Sequence, residues 1–88
     1  MNNSIEDRVL STIKRVLTIN HDCSSLNTQS SILHEPIAVD EVELVYIVME
    51  LMEEFGIRFD AEDFDNYAFD SIETIICCVK KHMKKAQL

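Results

Sequence analysis

The stretch from Asp40 to Gly56 leaves this chain the least freedom. Leu44, Val45, Val48, Leu51, Met52 and Phe55 recur at spacings of three and four, the period of a helix face and not the alternation of a strand. Such a wide apolar stripe must be buried against other elements. Asp40 stands where an N-cap belongs, and Gly56 stands where a left-handed residue ends a helix. The period returns twice more. Asn3 or Ser4 caps a first helix over about residues 4 to 19, with Ile5, Val9, Ile13, Val16 and Leu17 in register and Asp7 at the capping-box position. Asp70 or Ser71 caps a last helix carrying Ile72, Ile75, Ile76, Val79 and Met83, whose lysines Lys80, Lys81, Lys84 and Lys85 suit the negative end of its macrodipole. Between these, Ile57 and Phe59 pack a turn, and Ala61 to Tyr67 reads as a short third helix with Phe64 and Tyr67 inward.

His21 to Val39 carries Ser24, Ser25, Asn27, Thr28, Ser30, Ser31 and Pro36 with no sustained period, so it reads as a loop. A connection of about 20 residues is long for a compact domain, and Ile32, Leu33, Ile37 and Val39 are expected to pin its second half to the core. No strand pattern, internal repeat or second domain is visible. The expected fold is all-α: one domain over residues 1–88, a small four-helix bundle of three longer helices and one short helix with a long first loop. Its core is expected to hold Leu44, Val48, Leu51, Phe55, Ile72, Ile76 and Val79.

A chain of 88 residues with 47% hydrophobic content can build such a core without metal or disulfide help. No apolar run reaches the roughly 18 residues of a membrane span, and Met1 to Asp7 lacks the basic and apolar regions of a secretory signal. The expectation is a cytoplasmic monomer with no membrane association. Cys23, Cys77 and Cys78 are odd in number and two are adjacent, which fits reduced thiols and no disulfide framework. The net charge of -8 argues against nucleic acid, whose phosphates are bound by Lys and Arg clusters. It favours a basic protein partner. The acid is concentrated between Asp40 and Asp70, where Arg58 is the only Lys or Arg.

The candidate chemistries mostly fail. Asp60-Ala61-Glu62-Asp63-Phe64-Asp65 resembles a calcium ligand run, but counting from Asp63 puts Ala68 at the sixth position and Thr74 at the twelfth, where an EF-hand needs glycine and glutamate. Cys78 and His82 lie four apart on one helix face, yet no further Cys or His cluster completes a closed zinc site, so no metal is expected. His21, His34 and His82 lack an evident nucleophile partner, and a bundle of this size offers little room for a deep pocket. No catalytic residue is assigned, and the chain is not expected to be an enzyme.

Val48-Met49-Glu50-Leu51-Met52-Glu53-Glu54-Phe55-Gly56-Ile57 and Phe69-Asp70-Ser71-Ile72-Glu73-Thr74-Ile75 carry a resemblance. Together with the loop leading into Asp40, they are similar to the second helix and the start of the fourth helix of acyl carrier proteins, over nearly the whole chain. Counting back from Phe55 without a gap puts Asp40 on the family aspartate, Glu41 on the serine that takes the phosphopantetheine arm, and Val42 on the apolar residue after it. A carboxylate cannot form the phosphodiester that this serine forms. A second register puts Ala38 at the serine position at the cost of a three-residue insertion within the helix, and it too lacks the hydroxyl. Asp70-Ser71-Ile72 does spell the attachment motif, but too few residues follow Ser71 for the recognition helix and two further helices that the fold places after its serine. As helix caps, Asp70 and Ser71 have an ordinary role.

The resemblance implies an acyl-carrier-protein-like binding module with no cofactor, acting as a scaffold or regulator for a biosynthetic or peptide-modifying enzyme. It also implies docking through an acidic second helix, where Glu43, Glu50, Glu53 and Glu54 meet a basic patch around Val42 or Tyr46. Glu41 either mimics the charge of the arm's phosphate or offsets the helix dipole. The alternative is a working carrier that bears acyl or aminoacyl groups on 4'-phosphopantetheine in fatty acid, polyketide or peptide biosynthesis.

Overall fold

Ser4 opens α1 (Ile5–Leu17) by accepting a hydrogen bond from the Asp7 backbone N–H at 3.1 Å, so one of the helix's orphan donors is satisfied by a neighbouring hydroxyl. The computed structural model describes residues 4–34, 37–67 and 69–86, without the side chains of residues 65–67, 85 and 86. Val9, Thr12, Ile13 and Leu17 form the buried face of α1, with Ile5 and Val16 packed at its margins. Thr12 is tolerated there because its hydroxyl donates to the Arg8 carbonyl at 2.8 Å. The helix stops at Leu17, short of the expected residue 19, and the Leu17 carbonyl is taken by the turn through Asn20 and His21.

The long connection is pinned by Leu26, Ile32 and Ile37, all buried, with Val39 half-buried. Leu33 is exposed, contrary to expectation, and Leu26 replaces it as an anchor in the first half of the loop. Backbone bonds from Ile32 N–H to the Asp70 carbonyl at 2.8 Å and from Ile72 N–H to the Ser30 carbonyl at 3.1 Å tie the loop to the start of the last helix. These form an isolated antiparallel bridge between Ser31 and Ser71. The Ser31 hydroxyl also donates to the Asp70 carboxylate.

Asp40 caps α2 (Glu41–Phe55) in a capping box: its carboxylate accepts the Glu43 N–H at 2.8 Å, and Glu43 reaches back to the Asp40 N–H at 3.3 Å. At the other end Gly56 adopts φ 65°, ψ 38°, and both Gly56 and Ile57 donate to the Met52 carbonyl. The turn beyond leads into α3 (Ala61–Tyr67), where Asp60 and Asp63 exchange backbone-to-carboxylate bonds at 2.9 and 3.1 Å. Phe64 is partly exposed, although its ring lies against Phe69 with centroids 4.6 Å apart. The expected inward Tyr67 side chain lies outside the described residues. Ser71 caps α4 (Ile72–Ala86) by accepting the Thr74 N–H at 3.2 Å.

Among the described residues there are four helices and no strand. Helix α1 packs on α2 and α4, and α3 rests on α4. Ile13, Leu17, Ile32, Ile47, Leu51, Ile72, Ile75 and Val79 are fully enclosed in one continuous core. Of the expected core, Leu51, Ile72, Ile76 and Val79 are buried, while Leu44, Val48 and Phe55 lie at its margin. The expected stripe of α2 also omitted Ile47, which is fully buried. No helix among the described residues is long and apolar enough to cross a membrane.

Candidate docking surface

Helix α2 is apolar on two sides. With Ile47 and Leu51 facing the core, a helix of 3.6 residues per turn puts Val45 and Met49 on nearly the opposite side, since each lies two positions from Ile47. Val45, expected to share one stripe with Leu44, Val48 and Leu51, therefore belongs to an outer stripe instead. Val42, Val45, Tyr46 and Met49 are 54 to 62% exposed and follow the i, i+3, i+4, i+7 spacing of a single helical ridge. Ile19, just past the end of α1, is also exposed, and with Val16, Val42 and Tyr46 it lines a groove of about 540 Å³ between the end of α1 and the start of α2.

The carboxylates expected to surround this stripe divide into two groups. Glu43 is held inside the fold: one oxygen meets the His21 ring at 2.7 Å, the other accepts the Asp40 N–H, and its side chain is only 14% exposed. Glu54 accepts from Arg8 at 3.1 and 3.2 Å, and that guanidinium also covers the Phe55 ring at 4.5 Å. Glu50 faces Arg15 at 3.6 Å. These three carboxylates join α2 to α1 and the loop beyond it, so they are not a free acidic face. Glu41 and Glu53 are exposed and form no ion pair among the described residues. Asp40 is the cap already described. Glu41 is the first residue of α2 and lies beside Val42, Val45, Tyr46 and Met49.

Ser71, the hydroxyl with the attachment spelling, is half-buried and engaged as a cap, and its hydroxyl also lies 3.4 Å from Thr74 Oγ1.

A second cluster lies away from α2. Asp63 is fully buried, and its carboxylate receives Lys81 Nζ at 3.0 Å, His82 Nε2 at 2.6 Å and the Asp60 N–H at 2.9 Å. Burial pushes this carboxyl up, but the hydrogen bonds from the Asp60 backbone, His82 and Lys81 outweigh it and hold the group well below the usual carboxylate range. Cys78, buried one helical turn before His82, has its thiol pushed up to about 12 by burial and by the neighbouring Asp63 charge. The spacing alone pairs Cys78 with His82, whereas Asp63 joins them only because α3 approaches α4 in the folded chain. Cys77 is exposed and Cys23 half-buried, and all three cysteines are free thiols.

No protein-family profile matches this chain, and no curated protein matches it significantly.

Proposed function

We propose that this chain is an acyl-carrier-protein-like binding module without a phosphopantetheine arm, which docks to a biosynthetic or peptide-modifying enzyme through the outer face of α2. The observation that carries the reading is the apolar ridge Val42, Val45, Tyr46 and Met49, edged by the carboxylates of Glu41 and Glu53, which form no ion pair among the described residues. An apolar centre with a charged rim is the ordinary anatomy of a protein interface. The rim selects a partner with Lys or Arg around an apolar contact, since complementary charge steers encounter and sets register. The resemblance supplies the class: Glu41 occupies the position of the attachment serine, at the exposed start of α2, and no phosphodiester forms on a carboxylate. The partner is accordingly an enzyme whose basic patch reads the helix itself.

The test is intact-mass measurement after incubation with coenzyme A and a broad-specificity phosphopantetheinyl transferase. No mass gain is expected for the wild-type chain. A gain of one phosphopantetheine that disappears on mutating Ser71 would replace this reading with that of a working carrier. Docking is tested on the enzyme that co-purifies with the chain: Tyr46→Ala and the pair Glu41→Lys with Glu53→Lys should weaken binding while the helical circular-dichroism signal is kept.

A further inference from the structure

We propose that Asp63, Cys78 and His82 form a site for a zinc-class divalent cation between α3 and α4, independent of the docking face on α2. One carboxylate oxygen, one sulfur and one imidazole nitrogen converge there, all within 4.8 Å of one another. Asp63 and Cys78 are enclosed, while the His82 side chain keeps 12% exposure, which leaves a path from solvent. A tetrahedral zinc with bonds of about 2.0–2.3 Å spaces its donors roughly 3.3–3.8 Å apart. The 2.6 Å contact between Asp63 and His82 must open by about 0.7 Å, and the other donor separations, none above 4.8 Å, need close by no more than about 1.5 Å. Sulfur and nitrogen in the donor set favour zinc over magnesium or calcium, which take oxygen ligands.

The surroundings fit the charge change. Lys81, whose side chain is 30% exposed, holds one oxygen of Asp63 with its ammonium, so the cation there already marks this carboxylate as a place where positive charge is accepted. Cation binding forms a metal–sulfur bond and breaks the Cys78 S–H bond, with the proton leaving to water. His82 Nε2 ligates through its lone pair after its hydrogen moves to Nδ1 or to solvent, and Asp63 contributes an oxygen lone pair. The carboxylate and thiolate together balance the two positive charges. The fourth position remains for water. Phe59, its ring edge-on to His82 at 5.6 Å, packs beside the imidazole. The Asp60 N–H bond fixes the Asp63 carboxylate from outside the donor set.

Cobalt(II) titration of the full chain, followed by absorption spectroscopy, tests the site. The expected result is one equivalent bound with a thiolate-to-cobalt charge-transfer band, reversed by zinc. The band should survive Cys23→Ser and Cys77→Ser and vanish in Cys78→Ser, with Asp63→Asn weakening affinity roughly tenfold or more, at least what loss of a supporting residue costs a metal site. If Cys78→Ser loses its helical signal, His82→Gln serves instead: the band should persist with affinity reduced by a similar factor. Absence of the band in the wild type, its survival without Cys78, or an unchanged affinity in His82→Gln would each overturn the proposal. None of these results bears on docking by α2.

Discussion

Ile47 and Val45 lie two positions apart on one helix and have opposite fates, which makes them a direct measure of what burial contributes. Ile47→Ala removes a fully enclosed side chain and should destabilise by about 2–5 kcal/mol, whereas Val45→Ala should change stability by about 0.5 kcal/mol or less. Urea denaturation midpoints decide it, and similar shifts in the two variants would contradict the orientation of α2. Phe55 is half-buried beneath the Arg8 guanidinium, so Phe55→Ala should cost less than the about 3–5 kcal/mol of an enclosed aromatic. Asp63 carries its charge in a fully buried position. Its folded-state pKa lies below the unfolded value of about 3.9, so its contribution is present above about pH 4 and is lost as acid moves toward the folded pKa. In chelator-treated protein, Asp63→Asn should lower stability at pH 7 by about 3 kcal/mol, as breaking other buried pairs does, and should give a shallower loss between about pH 4 and pH 2 than the wild type. Equal acid slopes in thermal melts of the two proteins would contradict this account.

At the scale of elements, each long helix begins on a side chain chosen for the purpose. Ser4, Asp40 and Ser71 each accept a backbone N–H three residues on, and α2 adds the reciprocal bond from Glu43. The end of α2 depends on conformation and not on space. A Cβ at Gly56 would meet nothing within 4 Å, but φ is 65°, so Gly56→Ala should cost about 1–2 kcal/mol through backbone strain alone. Thermal denaturation of that variant checks it; no loss would mean that the helix can end differently. The acidic residues of α2 also have a structural duty. Reversing Glu50 and Glu54 to lysine sets them against Arg15 and Arg8, so that pair should destabilise the α1–α2 packing by on the order of 1 kcal/mol. Lost binding in that variant would therefore not isolate docking. Reversal of Glu41 and Glu53 leaves every observed ion pair intact and is the cleaner test.

For the whole molecule, the decisive contrast is between a closed interior and one open helix face. The core joins α1, α2, α4 and the long loop into one body, while the ridge on α2 stays in solvent. Apolar surface gathered in one place is what the proposed docking would cover. If the ridge meets a basic partner, the association rate should fall as salt rises from about 0.05 to 0.5 M, because a shorter Debye length screens the steering charges. Stopped-flow measurement with the co-purifying enzyme checks this, and a salt-independent rate would remove charge from the recognition. Sedimentation equilibrium addresses the other use of the ridge: a concentration-dependent dimer abolished by Tyr46→Ala would assign it to a second copy of the chain.

The helices, their caps and the glycine stop were legible in the residues because each depends on neighbours within four positions. Leu44, Val48, Leu51 and Phe55 fall on one side of α2 by spacing alone, and Ser71 is a cap by its place before Ile72. Which residue of a helix apolar on two sides faces inward is not a local property. Ile47 and Val45 are both β-branched and apolar, and only the packing of α2 against the rest of the fold, α1 above all, distinguishes them. The same reason hid the duties of Glu43, Glu50 and Glu54, whose partners His21, Arg15 and Arg8 belong to other segments of the chain. Asp63 joined Cys78 and His82 through the approach of α3 to α4, which no spacing encodes. Local hydrogen bonding and periodicity settle the elements; packing alone decides which faces meet, because burial depends on what arrives from far along the chain.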